Sequence, residues 1–218
     1  TQGNGGWSIP EFKNEGFFIN TDDDDLRWFE VTTDQDTELG HFPGINFQGS
    51  GKIDENLFII KAYEDTTAQW WITDKTAAGT RLLGNIGKEN GFLEMFTSDY
   101  GAVMYTTNAF ITYEPVFYNK ANDTIITVKD FLAPFQEFNK IRSVFLYENL
   151  MFVSVKEGNF DKNYIFDLAT NEFHPTPYTE EMIAFVPYQD ELILLTRRYL
   201  IIVDRTTYQV QTITDNVY

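Results

Sequence analysis

Two short sequence patterns each recur five times along the 218-residue chain. The first is an acidic residue followed by an apolar run, and it starts at Glu15, Glu55, Asp99, Glu148 and Asp190. The second is an aromatic or aliphatic segment that ends in Asp or Asn, at Asp34, Asp74, Asn119, Asp167 and Asp204. Because both patterns advance nearly in step, with a period of about 43 residues, the chain is predicted to consist of five structural repeats.

Each repeat has room for four strands, which is the size of one propeller blade. The apolar runs are unbroken, as expected for strands that are covered on both faces. The sequence therefore predicts an all-β fold, a five-bladed β-propeller of four-stranded blades that forms a single domain over residues 1–218. The predicted blades cover residues 7–40, 45–87, 93–131, 138–176 and 182–215.

Two other architectures fit the same patterns. The five repeats would also form an arc of a larger propeller, and a β-sandwich with accidental repeats is the competing all-β fold. No long helix is expected, since the best candidate, residues 131–141, is interrupted by Pro134. Inner strands are predicted near residues 7–12, 45–53, 93–98, 138–146 and 182–188.

The second repeat contains the segment QWWITDKTAAGTRLL at residues 69–83. This segment resembles the ELWxTDGTxxGT repeat of bacterial secreted and surface proteins, which occurs in tandem in propeller-like domains. Six motif positions match, with Lys75 in place of the usual Gly; they are Trp71, Thr73, Asp74, Thr76, Gly79 and Thr80. The resemblance implies a secreted, periplasmic or cell-surface location in a bacterium, and it implies no particular reaction.

The residues that end the second pattern are predicted to shape turns. A carboxylate or amide at a strand end accepts hydrogen bonds from amides two or three residues further on, and a Thr hydroxyl does so more weakly. Gly79 is expected to take the left-handed backbone conformation that the turn needs. The predicted structural turn residues are Asp34, Asp74, Thr76, Gly79, Asn119, Asp167 and Asp204.

The charge balance restricts the partners. With 33 acidic and 16 basic residues, the net charge is −17, which disfavours nucleic acid and anionic membrane surfaces. The absence of cysteine excludes disulfides and thiolate metal sites, and two histidines make a zinc site a poor hypothesis. No apolar run is long enough to span a membrane, and the first ten residues lack the features of a signal peptide.

The run TDDDDL is the most concentrated group of charges. Calcium binds several loop oxygens, so Asp22, Asp23, Asp24 and Asp25 form a candidate calcium site, the one cofactor that the sequence suggests. The run lacks the alternating spacing and the final Glu of the familiar calcium loop, so a solvated hairpin tip is the competing interpretation.

A binding surface is predicted on the loops that join the second and third strands of each blade. Aromatic side chains among acids and amides suit sugar rings and protein partners alike. The candidate binding residues are Tyr63, Phe110, Tyr113, Phe160, Arg197 and Tyr199.

The favoured function is a non-catalytic module that recognises a protein partner or a glycan through one propeller face. A carbohydrate-active enzyme is the main alternative, although the predicted inner strands carry only Glu11 and Glu94 as acids. No phosphate-binding loop or nucleophile motif accompanies His41 or His174. A segment of a larger surface adhesin or secretion-associated protein is the third hypothesis.

Overall fold

Five antiparallel sheets of four strands each make up the part of the chain that the computed structural model describes. The described residues are 8–12, 15–20, 24–30, 32–65, 67–88, 92–107, 114–136, 138, 140–157, 160–180, 182–188, 191–196 and 198–214.

The first sheet contains β1 (Ser8–Phe12), β2 (Glu15–Asn20), β3 (Asp25–Glu30) and β4 (Gln35–His41). The second contains β5 (Ile45–Lys52), β6 (Phe58–Glu64), β7 (Thr67–Thr73) and β8 (Arg81–Lys88). The third contains β9 (Phe92–Ser98), β10 (Gly101–Thr107), β11 (Val116–Asn119) and β12 (Thr124–Thr127), followed by the helix α1 (Val128–Leu132). The fourth contains β13 (Ile141–Tyr147), β14 (Leu150–Glu157), β15 (Phe160–Asp167) and β16 (Glu172–Pro175). The fifth contains β17 (Met182–Tyr188), β18 (Glu191–Thr196), β19 (Leu200–Asp204) and β20 (Val210–Thr214).

Every sheet is a meander in which the strands pair in chain order. The predicted all-β class and the count of five four-stranded sheets are therefore confirmed, and the predicted inner strands correspond to β1, β5, β9, β13 and β17. These first strands lie next to one another from each sheet to the next. Whether five sheets close a ring or belong to a larger one, and whether residues 1–218 form one domain, stay predictions.

The strand directions define two faces. Because strands alternate in direction, the first-to-second and third-to-fourth turns of a sheet lie at the same end. We call this end the turn face; in the third sheet it carries residues 99–100 and 120–123. The opposite end, which carries the second-to-third loops and the connections between sheets, is called the loop face.

The middle strands are buried on both sides, as their unbroken apolar runs predict. In β6, Phe58 and Ile60 pack toward the first sheet, whereas Ile59 packs toward the third. The adjacent tryptophans of β7 separate in the same way, with Trp70 toward the third sheet and Trp71 toward the first. This alternation follows from the two-residue period of a strand, and it gives every residue of the run a buried partner.

The described part of the chain contains four hydrophobic clusters, and each lies between two consecutive sheets. Together they cover the junctions of the first and second, second and third, third and fourth, and fourth and fifth sheets. The helix α1 contributes Val128 and Leu132 to the cluster between the third and fourth sheets. Thr127 caps the helix, since its hydroxyl oxygen accepts a 3.0 Å hydrogen bond from the Asp130 amide. The sheets are thus held face to face by their side chains.

Candidate functional site

The loop face was the predicted binding surface, and two of its candidate residues have described side chains. Tyr63 lies in β6 and is half-buried against the cluster between the second and third sheets. Tyr199 packs against the cluster between the fourth and fifth sheets, with its ring centroid 5.6 Å from that of Tyr178. Both tyrosines therefore serve packing.

The other loop-face candidates give less information. Phe160 is the first residue of β15. Phe110, Tyr113 and Arg197 lie outside the described residues, so the binding role of this surface stays a prediction. The neighbouring Arg198 pairs with Glu180 at 3.1 Å.

The calcium site at residues 22–25 stays a prediction. Asp22 and Asp23 lie outside the described residues. Asp24 adopts a left-handed backbone with φ of 54°, and the Asp25 carboxylate lies 3.1 Å from Nδ1 of His41. Among the side chains that the structure describes, no group of three or more His, Cys, Asp or Glu is arranged to hold a metal ion.

The residues that end the third strands accept hydrogen bonds from their own turns. Oδ1 of Asp167 accepts a bond of 2.8 Å from the Ala169 amide, and Oδ1 of Asn119 accepts one of 3.0 Å from the Ala121 amide. Asp204 accepts bonds from the amides of Thr206 and Thr207 at 2.9 and 2.7 Å. These amide bonds hold the pKa of Asp204 below its usual value.

Asp34 differs from this expectation. The pairing of Glu30 with Gln35 makes Glu30 the strand-end residue of the first sheet, and its carboxylate accepts bonds from the hydroxyls of Thr32 and Thr33. Asp34 is the last residue of the turn and has a left-handed φ of 52°. Its counterparts are the left-handed turn residues Asp123, Asn171 and Tyr208.

The turn at residues 74–80 also departs from expectation in one respect. Oδ1 of Asp74 accepts bonds from the amide and the hydroxyl of Thr76, at 3.0 and 2.6 Å. Gly79 is not left-handed; instead, a Cβ at this position would lie 1.9 Å from Oδ1 of Asp74. The left-handed residue is Lys75, with φ of 70°, at the motif position where Gly is usual. Glycine is therefore needed at position 79 because the Asp74 carboxylate lies too close for any side chain.

Basic residues on the turn face connect consecutive sheets. Nζ of Lys120, in the third-to-fourth turn of the third sheet, lies 2.5 Å from Oδ2 of Asp54 in the second sheet. The hydrogen bond from Lys120 is the main reason that the pKa of Asp54 lies below its usual value. Arg205, at the same turn position of the fifth sheet, pairs with Glu148 of the fourth. Lys75 lies over the ring of Trp28 in the first sheet, at 4.6 Å from its centroid.

A second contact reinforces the junction of the fourth and fifth sheets. The Tyr208 hydroxyl donates to Oδ2 of Asp167, and its ring stacks on His174 with centroids 3.9 Å apart. Burial, together with the hydrogen bond to Asp167, raises the pKa of Tyr208 to about 12. Arg205 and Tyr208 thus attach one turn of the fifth sheet to the fourth sheet.

A cleft of about 430 Å³ opens on the turn face between the third and fourth sheets. Its lining combines polar and aromatic side chains, with Asp99, Tyr100, Asn119, Phe131, Leu168 and Asn171 among them. Tyr100 is 38% exposed, so its ring is available to a ligand, whereas the half-buried ring of Phe131 packs against Phe117 and Phe166. An open site with one exposed ring beside one carboxylate and two amides is suited to bind a small group of a larger partner.

The cleft was missed by sequence reasoning, although a signal exists. The residue after the Asp or Asn of the second sequence pattern is basic in the second, third and fifth repeats, at Lys75, Lys120 and Arg205. In the fourth repeat it is Leu168, which lines the cleft. The missing basic residue in the fourth repeat indicates that no basic residue of this turn reaches from the fourth sheet to the third.

The inner-strand acids of the enzyme hypothesis are not brought together by any described contact. Glu94 is half-buried in β9, where it pairs with Tyr105 of β10. Glu11 lies in β1, and its side chain is outside the described part of the structure.

Comparisons with known proteins identify the fold. No protein-family model matches the chain, and no curated protein matches it. Among solved structures, dipeptidyl peptidase 4 of Porphyromonas gingivalis superimposes with a TM-score of 0.57 and 9% identity, over 99% of this chain and 34% of that one. An oligogalacturonate lyase of Vibrio parahaemolyticus gives 0.54 and 8%, over 93% and 63%.

A third structure has a stated location. The extracellular domain of a protein described as a hybrid two-component system of B. thetaiotaomicron gives a TM-score of 0.51 and 10% identity, over 96% of this chain and 30% of that one. The chain spans less than two thirds of the length of each of these proteins. No helix in the described part of the chain is long and apolar enough to cross a membrane. At these identities the likeness shows the fold, which is of the propeller type.

Proposed function

We propose that the chain is a non-catalytic binding module of a secreted or cell-envelope protein and that it contacts its partner through the turn face. The observation that carries this proposal is the cleft between the third and fourth sheets, where exposed Tyr100 and Asp99 stand on turns held by side-chain hydrogen bonds. Rigid turns with open aromatic and polar groups favour binding, because little conformational entropy is lost on association.

The carboxylates of the turn face support a structural rather than a catalytic use. Asp54, Glu148 and Asp167 each accept a bond from the following sheet, from Lys120, Arg205 and Tyr208 respectively. Acids held in this way stabilise the junctions between sheets and are not free to transfer protons to a substrate. The resemblance to an extracellular domain supports the proposed location.

A carbohydrate-active enzyme is the second candidate, and it is favoured by the likeness to an oligogalacturonate lyase. The chain would then act on an acidic or neutral polysaccharide through carboxylates of the inner strands. Incubation with oligogalacturonate and neutral polysaccharides, followed by analysis of product size, tests this candidate directly.

The binding proposal is tested by comparing the two faces against the same partner. We expect Tyr100→Ala, on the turn face, to weaken binding of an affinity-captured envelope protein or an array-selected glycan by at least about tenfold, since central aromatic residues dominate interface energies. Arg198→Ala, on the loop face, provides the matched control. Titration of the immobilised partner with each variant gives both dissociation constants.

The turn-face proposal would be wrong if Tyr100→Ala bound normally while a loop-face variant lost binding. The loop-face variants are Arg198→Ala and the double variant Tyr113→Ala with Phe160→Ala, and their loss of binding would place the site on the loop face. Release of shortened products from a polysaccharide would establish the enzyme candidate instead.

A further inference from the structure

The junction of the fourth and fifth sheets contains a binding site that the chain fills with its own side chains. Its acceptors are Glu148, in the first-to-second turn of the fourth sheet, and Asp167, at the end of β15. Its donors are the Arg205 guanidinium, which also lies 5.5 Å from the Tyr147 ring centroid, and the Tyr208 hydroxyl. One turn thus inserts an arginine and a tyrosine into the preceding sheet.

The preceding junction, between the third and fourth sheets, has the corresponding acceptors. Asp99 occupies the position of Glu148, because both begin a two-residue turn that joins the first and second strands. Asn119 occupies the position of Asp167, because both are the last residue of a third strand and both accept an amide two residues on. The carboxylate of Glu148 is therefore repeated at Asp99. At Asn119 only Oδ1 is an acceptor, because Nδ2, the counterpart of Oδ2 of Asp167, is a donor.

The donors are not repeated. Leu168 stands at the position of Arg205, and Asn171 stands at the position of Tyr208, with the same left-handed backbone. Both replacements are shorter, and neither is charged. The cleft of about 430 Å³ lies at this place. Lys120 also lines the cleft, but its ammonium group is paired with Asp54. Among the described side chains, no ion pair joins Asp99 to Lys120 or to any other basic residue.

We propose that the cleft binds an arginine side chain of a partner protein, with the guanidinium directed to Asp99 and Asn119. This inference rests on the proposed function and names the chemistry that the turn face recognises. A planar guanidinium matches a carboxylate and an amide oxygen, and it stacks on an aromatic ring such as that of Tyr100. The apolar stem of the arginine contacts Phe131 and Leu168, which line the same cleft.

Charge favours an arginine over a sugar. A sugar would use the ring and amides equally well, and its hydroxyls would also donate to the carboxylate, but a neutral sugar leaves the charge of Asp99 uncompensated. An arginine compensates the charge of Asp99 within a chain whose net charge is −17. The chain itself places an arginine at the equivalent position of the next junction, beside Glu148.

The probe is a tetrapeptide, acetyl-Arg-Thr-Thr-Tyr-amide, which copies residues 205–208. Titration into the full chain, followed by amide chemical shifts, should perturb the signals of residues 99–100, 119–121 and 168–171. A peptide with citrulline in place of arginine keeps the shape and removes the charge. We expect the citrulline peptide to bind at least about tenfold more weakly, and Asp99→Asn to cause a similar loss with the arginine peptide. Asp65→Asn removes one charge from the loop face and should leave binding unchanged.

Three outcomes would overturn the arginine assignment. These are equal binding of the two peptides, full binding by Asp99→Asn, and perturbation confined to the loop face. Maltohexaose and chitohexaose are titrated in parallel. Cleft signals that shift with a hexasaccharide and not with the peptide would reject the arginine and keep the turn-face binding module, whereas turn-face signals that shift with no probe would reject both.

Discussion

Asp167→Ala should lower the free energy of unfolding by about 3 kcal/mol, because the carboxylate is 2% exposed and connects two sheets. It accepts bonds from the Asn149 amide group, the Tyr208 hydroxyl and the Ala169 amide. Removal of the carboxylate leaves these donors without their acceptor at a buried junction. For a chain of this size, we expect the melting temperature to fall by roughly 6–12 °C.

Asp204→Ala is the matched control for this prediction. Asp204 ends the third strand of its sheet as Asp167 does, but it is exposed and accepts bonds only from its own turn. We therefore expect a much smaller fall in melting temperature. Similar losses from both variants would show that the contact of Asp167 with the fifth sheet contributes nothing.

The effect of Asp167→Ala should also depend on pH. Burial raises the pKa of Asp167, but the bonds from Tyr208, Asn149 and the Ala169 amide outweigh burial and hold it below its usual value. A lowered pKa in the folded state stabilises the fold above the unfolded pKa of about 4, and this contribution is lost as the pH falls through the folded pKa. The difference between parent and variant should therefore shrink below about pH 4 in denaturant titrations.

Gly79→Ala should destabilise the turn at residues 74–80 by about 1–2 kcal/mol, the same amount as Asp74→Ala. A methyl group at position 79 displaces the Asp74 carboxylate, which then loses both of its bonds to Thr76. The two substitutions remove the same bonds. The free energy of unfolding of the double variant should therefore equal that of either single variant. Additive losses in chemical denaturation would mean that Gly79 has a separate role.

The five sheets could be predicted from the sequence because their signals are local. Unbroken runs such as Phe58-Ile59-Ile60 require cover on both faces, and a turn residue at each strand end sets the period. Asp34 lies in the predicted turn, but its placement at the strand end was wrong, because only the pairing of Glu30 with Gln35 shows where β3 ends. The spacing of a sequence pattern does not determine strand register to within a few residues.

The cleft could not be predicted because it depends on contacts between repeats. Lys120 and Arg205 read as ordinary surface residues until the structure shows that each reaches an acid in the preceding sheet. The same comparison explains why Leu168 matters, since the turn of the fourth sheet offers Asp99 no basic side chain and Lys120 is paired with Asp54. Left-handed Lys75 was likewise visible only as a departure from the glycine of the motif.

The most direct test supplies the missing cation within the chain. Leu168→Arg should place a guanidinium beside Asp99, as Arg205 lies beside Glu148. The loss of Leu168 packing is the same with or without Asp99, so a double-mutant cycle with Asp99→Asn isolates the pair. We expect a favourable coupling of about 1 kcal/mol in chemical denaturation, and loss of tetrapeptide binding by Leu168→Arg. A coupling of zero, together with unchanged tetrapeptide binding, would contradict the assignment of the cleft as a vacant arginine site.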